Sequence, residues 1–217
     1  GDIEDKIQQL QQEGNTAMLV RRGNVYLGIL GVMDVPRPEA RSVLQALKGI
    51  GIKKMVMLTG DNQLVADAVA QKIGITEARG SLLPEEKVAA IDELRQQENK
   101  LAMVGDGVND APAMAKSTVG IAMGAAGSDV ALETADIALM ADAIGNLPFA
   151  IGLSRKSKTV IRQNLVISLG VVALLIPLTI SGAANIGPAI IAHEGSTLLV
   201  VFNALRLLAY KKNLQAP

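Results

Sequence analysis

The sequence predicts an α/β domain, a doubly wound parallel sheet, followed by a two-helix transmembrane hairpin. Three observations carry that expectation. Between residues 54 and 140, short apolar runs alternate with helical patterns, as strands do when helical crossovers join them. Three polar motifs, Thr59-Gly60-Asp61, Pro84-Glu85-Glu86-Lys87 and Gly105-Asp106-Gly107, each follow an apolar run. In the last third, Asn164 to Ala184 and Pro188 to Leu208 are mostly apolar, near the ~20 residues that span a hydrocarbon core.

Charge is balanced at 21 basic against 21 acidic residues, so no nucleic-acid partner is expected. The chain has no cysteine, which removes disulfides and thiolate ligands within these residues. It opens on Gly1 with an acidic, glutamine-rich segment in place of a signal peptide. The expectation is a piece of a longer protein.

Residues Ile3 to Gln12 have the pattern of an amphipathic helix ended by Gly14. Thr16 to Arg21 and Val25 to Leu30 are β-rich, with Gly23-Asn24 between them as a two-residue hairpin turn. A helix and a hairpin cannot bury a core alone, so residues 1–30 read as the tail of another domain. Asp34 and two prolines punctuate the passage to a helix from about Glu39 to Lys48. The main domain, residues 31–150, then alternates. Lys54 to Leu58 reads as a strand and Gln63 to Ile73 as a helix. Gly80 to Leu83 reads as a strand, and a helix to about Gln97 opens with proline and acids in its first turn. Leu101 to Val104, Val119 to Met123 and Ile137 to Met140 read as strands, and Ser128 to Thr134 as a helix.

In open α/β sheets ligands bind outside the carboxyl ends of the strands, which would gather the motifs at one site. Thr59, Gly60 and Asp61 offer a hydroxyl and backbone amides suited to a phosphoryl oxygen. Lys87 offers a point charge that offsets charge on a transferring phosphoryl group. Asp106 and Asp110 supply hard oxygen ligands of the kind magnesium takes, and Asn109 adds an amide. Singly, each has a plain alternative: a solvated helix lysine, a turn with a cap, a glycine-rich turn with two solvated acids. Asp34 similarly fits either a linker or a ligand role.

The string Gly105-Asp106-Gly107-Val108-Asn109-Asp110 with its preceding Thr59-Gly60-Asp61 and Lys87 resembles the hinge and phosphoryl-site motifs of P-type ATPases, a branch of the haloacid-dehalogenase-like phosphotransferases. The resemblance runs through nearly the whole chain, including Gly120 to Met123 and Asp129 to Met140. It implies a sheet of the haloacid-dehalogenase type. It also implies that Thr59, Lys87, Asp106, Asn109 and Asp110 surround an aspartyl phosphate and its Mg2+. In that family the nucleophile lies in Asp-Lys-Thr-Gly-Thr, and no such string occurs here. The expected reading is therefore the carboxyl-terminal part of a pump, inactive alone. ATP would be bound mainly by the missing amino-terminal part, including most of the nucleotide-binding domain to which residues 1–30 belong. Rival readings are a membrane-anchored phosphatase of the same superfamily and a non-catalytic subunit completing a split pump.

In the last third, residues 151–163 read as a cytoplasmic connector, 164–184 and 188–208 as transmembrane helices, and 209–217 as a cytoplasmic tail. Arg155, Lys156, Lys158 and Arg162 precede the pair and Arg206, Lys211 and Lys212 follow it. The positive-inside tendency puts both ends, and the soluble domain, in the cytoplasm. The expected location is the cell membrane, with lipid as a partner.

His193 and Glu194 fall in the middle of the second run, where ionisable groups are costly and often mark an ion path. The alternative is a helix-breaking polar patch beside Gly195. Imidazole and carboxylate suit zinc, cobalt or nickel, whereas copper(I) prefers sulfur. His193-Glu194-Gly195 with Ser196 and Thr197 resembles the final helix of heavy-metal-transporting P-type ATPases, in particular the cobalt- and zinc-exporting branch. That likeness implies His193, Glu194, Thr197 and Ser196 as ligands of a transported divalent ion.

Overall fold

The structure, a computed structural model, describes residues 2–33, 35–105, 108–123, 133–140, 143–183 and 185–211. Asp34, Asp106, Gly107, Asp129, Lys212 and most of the helix expected over 128–134 lie outside the described residues. The chain divides into two units that meet between Leu147 and Pro148.

The first unit begins with helix α1 (Asp2–Gln12) and an antiparallel hairpin of β1 (Asn15–Arg22) and β2 (Val25–Met33). The register pairs Asn15 with Met33 and Arg22 with Val25, and slips by a bulge between Val20 and Arg21. The Gly23-Asn24 turn has Gly23 at φ 57°, the left-handed backbone that such two-residue turns need. Both strands are longer than their apolar runs, because cross-strand pairing carries the flanking residues along.

Helix α2 (Ala40–Gly49) leads to the alternating part: β3 (Val56–Leu58), α3 (Gln63–Ile73), β4 (Glu77–Arg79), α4 (Pro84–Glu98), β5 (Ala102–Gly105), α5 (Ala111–Lys116), β6 (Val119–Met123) and β7 (Ile137–Leu139). Every pairing among β3 to β7 is parallel, as expected of strands joined by helical crossovers. The ladder comes in two pieces, β3 with β4, and β5-β6-β7. One apolar cluster joins them. Ile91, Met103, Ala111, Ala113 and Met114 are buried together, and Leu58 of β3 packs against them. Met114 is 1% exposed, and a side chain of this kind contributes about 1.5–3 kcal/mol on burial.

One expected strand is corrected. Gly80 to Leu83 is not a strand; β4 is the preceding Glu77-Ala78-Arg79, in register with Val56-Met57-Leu58. Apolar Leu82 and Leu83 drew the expectation, while charged Glu77 and Arg79 argued against a strand. Ion pairing makes those charges tolerable there. Arg79 lies 3.2 Å from Glu77 and 2.8 Å from Glu93, and Lys54 lies 3.3 Å from Glu77. Residues 80–83 instead form a tight connection, with Ser81 at φ 55°.

Two hydrogen bonds from Arg79, and then its charge, hold the Glu93 carboxyl below the usual carboxylate range. Glu93 therefore binds a proton less readily folded than unfolded. Its contribution to stability is present above the unfolded pKa and is lost as pH falls through the folded one. An NMR titration is expected to place the Glu93 midpoint below that of an ordinary glutamate and to raise it in Arg79→Gln. Identical midpoints in parent and variant contradict this account.

The second unit is a helical hairpin. Helix α6 (Leu147–Ile180) runs unbroken through both the expected connector and the first apolar span, and α7 (Ile186–Leu205) returns. Apolarity marks where a helix can meet lipid, not where it begins; the Arg- and Lys-rich residues before Asn164 are good helix formers and extend it. Helix α6 stops at Ile180, short of Ala184, because Pro177 lies in its last turn and Gly182 adopts φ 72°. Both helices are long and apolar enough to cross a membrane, and the most apolar window of the first is 0% buried. A core helix of a soluble protein would be covered instead.

Within this unit Asn203 ties the helices, donating from Nδ2 to Gln163 Oε1 at 3.1 Å and to Asn164 Oδ1 at 2.8 Å. Phe149 and Tyr210 pack with their rings tilted by 43° and centroids 5.6 Å apart. Gly152 lets that tyrosine lie close, since a Cβ there would collide with the Tyr210 hydroxyl.

Candidate functional site

The sequence folds locally so that Thr59 and Asp110 sit just beyond β3 and β5, and Lys87 in the first turn of α4. Thr59 follows β3, and its amide donates to the Arg79 carbonyl at 3.0 Å, continuing the ladder by one bond. The chain then turns tightly. Thr59 Oγ1 donates to Asp61 Oδ2 at 2.9 Å and accepts from the Asp61 amide at 3.1 Å. Asn62 caps α3 by accepting from the Leu64 amide at 2.9 Å, the usual role of an Asn before a helix. Gly60 is exposed, and a Cβ there would come only within 3.5 Å of the Leu82 carbonyl.

A second set of bonds links this turn to α4. The Thr59 carbonyl accepts from the Leu82 amide at 3.1 Å and the Asp61 carbonyl from the Ser81 amide at 2.5 Å. Glu86 then accepts from the Leu83 amide at 2.8 Å, fixing the helix start. Lys87 thus stands in the first turn of a helix whose lead-in is pinned to Thr59. From there its Nζ reaches Asp110 Oδ1 at 2.9 Å, with the two side chains 19% and 16% exposed. Asp110 ends the 3-10 turn Val108–Asp110 just past β5. The start of α4 is therefore tied to the turn after β3 through Ser81 and Leu82, and to the turn after β5 through Lys87.

Gly105 shapes the same place. A Cβ there would fall 2.8 Å from the Asp110 Cβ and 3.0 Å from its Oδ2, so glycine is what allows the carboxylate to fold back toward the strand end. Asn109 is exposed in the same turn.

The arrangement suits phosphoryl chemistry. A lysine and a half-buried carboxylate meet here, the chain leading to that lysine is bonded to the turn that carries the Thr59 hydroxyl, and a cation beside a developing negative charge in such a setting needs little reorganisation. Magnesium takes hard oxygen ligands, and the described residues at this end offer carboxylate and hydroxyl oxygens. Asp110 Oδ1 is held by Lys87, which leaves Oδ2 as the oxygen available to a cation. No group of three or more potential metal ligands occurs among the described residues, and Asp106 is not one of them.

Sequence reasoning missed Gln63 and Gly80. Gln63 Oε1 accepts from the Gly80 amide at 2.6 Å, while its Nε2 donates to Asp67 at 2.8 Å and to the Ala78 carbonyl at 3.0 Å. That side chain holds together the two loops that carry Thr59 and lead to Lys87. A glutamine at the first position of a helix gives no sign of such a bond, because its partner lies 17 residues on.

In the hairpin, His193 and Glu194 are exposed and Ser196 is buried. The His193 carbonyl accepts from Ser196 Oγ at 2.6 Å and from Thr197 Oγ1 at 3.3 Å. Positions 193 and 197 are neighbours on one face of α7, as are 194 and 197. Thr197 therefore adjoins both ionisable residues, and the segment is helical rather than broken at Gly195.

With this geometry in hand, comparison with known proteins is informative. Residues 1–118 match the family described as haloacid dehalogenase-like hydrolase. A probable cadmium-transporting ATPase of Staphylococcus aureus is 43% identical over 210 residues, covering 97% of this chain and 29% of its own length. Another of that description, from Listeria monocytogenes, is 46% identical over 209 residues, covering 96% of this chain and 29% of its own length. The crystal structure of a zinc-transporting PIB-type ATPase in the E2.Pi state superposes with a TM-score of 0.80 at 44% identity, over 95% of this chain and 34% of that one. The chain thus spans about 29% of the length of the curated relatives it matches. Its parallel strands, its helix-start lysine paired with a strand-end carboxylate, and the match over residues 1–118 agree: this chain belongs to the haloacid dehalogenase-like hydrolase family and is similar to heavy-metal-transporting P-type ATPases.

Proposed function

We propose that the chain is part of an ATP-driven exporter of a divalent transition metal, working through an aspartyl phosphate. The observation that carries this reading is the Lys87–Asp110 pair at 2.9 Å, joined through α4 to Thr59, in a chain that continues into a hairpin apolar enough to cross a membrane. The relatives named for cadmium and zinc support metal as the cargo.

In this reading the aspartate that accepts the phosphoryl group comes from a segment outside these residues. Strands β3 and β5 each have one paired neighbour among the described strands, yet share one apolar cluster. One more parallel strand between them would complete a single sheet and bring a nucleophile to Thr59 and Lys87. Thr59 would turn its one hydroxyl proton from the Asp61 carboxylate to a phosphoryl oxygen, Lys87 would offset the charge there, and Asn109 would add an amide donor. Gly60 leaves the turn open to that oxygen, and the Asp61 amide, which donates to Thr59 Oγ1, orients the hydroxyl. Asp110 and Asp106 would hold Mg2+, whose charge would offset that of the transferring group. ATP would be held mainly by the remainder of the nucleotide-binding domain, and these residues alone would not turn over ATP.

His193, Glu194, Ser196 and Thr197 are proposed to ligate the transported ion from α7. Imidazole with carboxylate favours zinc, cadmium or cobalt over copper(I) or calcium. The test is metal-stimulated ATP turnover of the complete protein in vesicles, with a panel of zinc, cadmium, cobalt, copper(I) and calcium. Zinc or cadmium is expected to give the largest stimulation, and His193→Ala and Glu194→Ala are each expected to reduce it by at least about tenfold, the loss of one good ligand. Unchanged stimulation in both variants removes the proposed transport site.

A further inference from the structure

We propose that the hairpin binds the phosphate of an anionic phospholipid in the groove between α6 and α7, at the end where both helices carry their basic residues. The proposal rests on the membrane-spanning reading of these helices. The groove is shallow and open on one side, with a volume of about 540 Å3.

Its lining is graded as a lipid is. Thr159, Arg162, Gln163, Val166 and Ile167 follow one face of α6, and Asn203 and Arg206 face them from α7. Moving from Thr159 toward Ile167, the wall passes from polar and cationic to apolar, in the direction of the hydrophobic span. The polar end is held in place. Asn203 spends its amide donors on Gln163 and Asn164, and its Oδ1 accepts from Arg206 Nη1 at 2.8 Å. That bond fixes Arg206 while using one of the five donors of a guanidinium.

Charge complementarity points to an anion. Between residues 148 and 211 stand Arg155, Lys156, Lys158, Arg162, Arg206 and Lys211, against Glu194 as the one acid. Glu194 is twelve positions from Arg206 on α7, roughly 18 Å along the axis at the rise of an α-helix. Neither groove arginine therefore has a carboxylate within reach in this unit. Two arginines on facing helices suit a phosphate, which their planar forks bind in bidentate fashion. Topology alone would be served by basic residues anywhere near the helix ends. It does not require one arginine from each helix on a shared groove, locked by an amide network. Basic pockets of this kind between transmembrane helices take anionic headgroups.

The test is native mass spectrometry of the 217-residue chain in detergent micelles, titrated with dioleoyl-phosphatidylglycerol or dioleoyl-phosphatidylcholine. One phosphatidylglycerol per chain is expected to be retained about tenfold more strongly than phosphatidylcholine. The Arg162→Gln/Arg206→Gln variant is expected to lose that preference, and Lys156→Gln/Lys158→Gln, outside the groove, to keep it. Val166→Trp, which fills the apolar floor and leaves every charge, is expected to weaken phosphatidylglycerol retention as well, and serves where the arginine variant does not fold. Equal retention of the two lipids overturns the proposal. So does an equal loss in the lysine variant, which would mean diffuse attraction, or displacement by millimolar inorganic phosphate, which would mean a free-anion site. A chain that stays monodisperse without detergent would instead overturn the membrane-spanning reading itself.

Discussion

Lys87→Met in the complete protein is expected to lower metal-stimulated ATP turnover by about 10²- to 10³-fold, the usual loss when one preorganised donor leaves a transition-state site. The expectation follows from where the lysine is held. It occupies the first turn of α4, the lead-in to that turn is bonded to Thr59, and its Nζ already meets Asp110 at 2.9 Å. Lys87→Arg keeps the charge but not the shape, because a planar fork does not replace a compact ammonium; an intermediate loss is expected. A purely structural lysine predicts something else. Removing it strands a half-buried carboxylate at a cost of about 1–2 kcal/mol, between the values for exposed and buried pairs. Lys87→Met/Asp110→Asn removes that stranded charge, so it is expected to recover stability in chemical denaturation while turnover stays low. A loss under about threefold in Lys87→Met, or a turnover loss no larger than its loss of stability explains, would sink the assignment.

The largest effect on folding is expected at Gly80→Ala, roughly 3 kcal/mol, at the upper end of overpacking costs. A Cβ at this position would lie 2.7 Å from Gln63 Cα, 2.8 Å from the Asp61 carbonyl oxygen and 2.8 Å from the Gln63 amide nitrogen. All three are backbone atoms at the start of α3, so no side chain can swing aside. The loop must move, and with it the Gly80 to Gln63 bond and the Ser81 to Asp61 bond that tie the Thr59 turn to α4. Gly60→Ala is the internal comparison. Its added Cβ meets only an ordinary contact of 3.5 Å, and its midpoint in urea is expected to stay close to the parent's. If both variants unfold at the same denaturant concentration, the close approach at Gly80 is not what secures this loop.

Much of the site was legible because its chemistry is local in sequence. Thr59-Gly60-Asp61 and the turn ending in Asp110 each follow an apolar strand, and polar residues in that position point to the carboxyl edge of a parallel sheet. Pro84 with Glu85 and Glu86 marked the start of α4, and the helix begins at Pro84. The β4 strand was hidden for an equally physical reason. Its Glu77 and Arg79 look like loop residues until their partners, Lys54 and Glu93, are brought beside them. Gln63 was hidden likewise, since nothing in a helix-starting glutamine announces a bond to an amide 17 residues away. In the hairpin, apolarity located the spans but not the helix ends, which backbone propensity and Gly182 set instead.

By itself, then, the sequence determined the parallel α/β class, the order of the described strands apart from β4, the helices α2, α3 and α4, the strand-end placement of Thr59 and Asp110, and the two apolar helices. These follow from periodicities of two and of 3.6 residues and from turn chemistry, all short-range properties. Only the tertiary structure decided that Lys87 meets Asp110, that Gly80 and Gly105 have no room for a side chain, and that Asn203 joins Arg206 to the opposite helix. Each of these depends on atoms far apart in the chain, whose distances are set when the elements pack and not before.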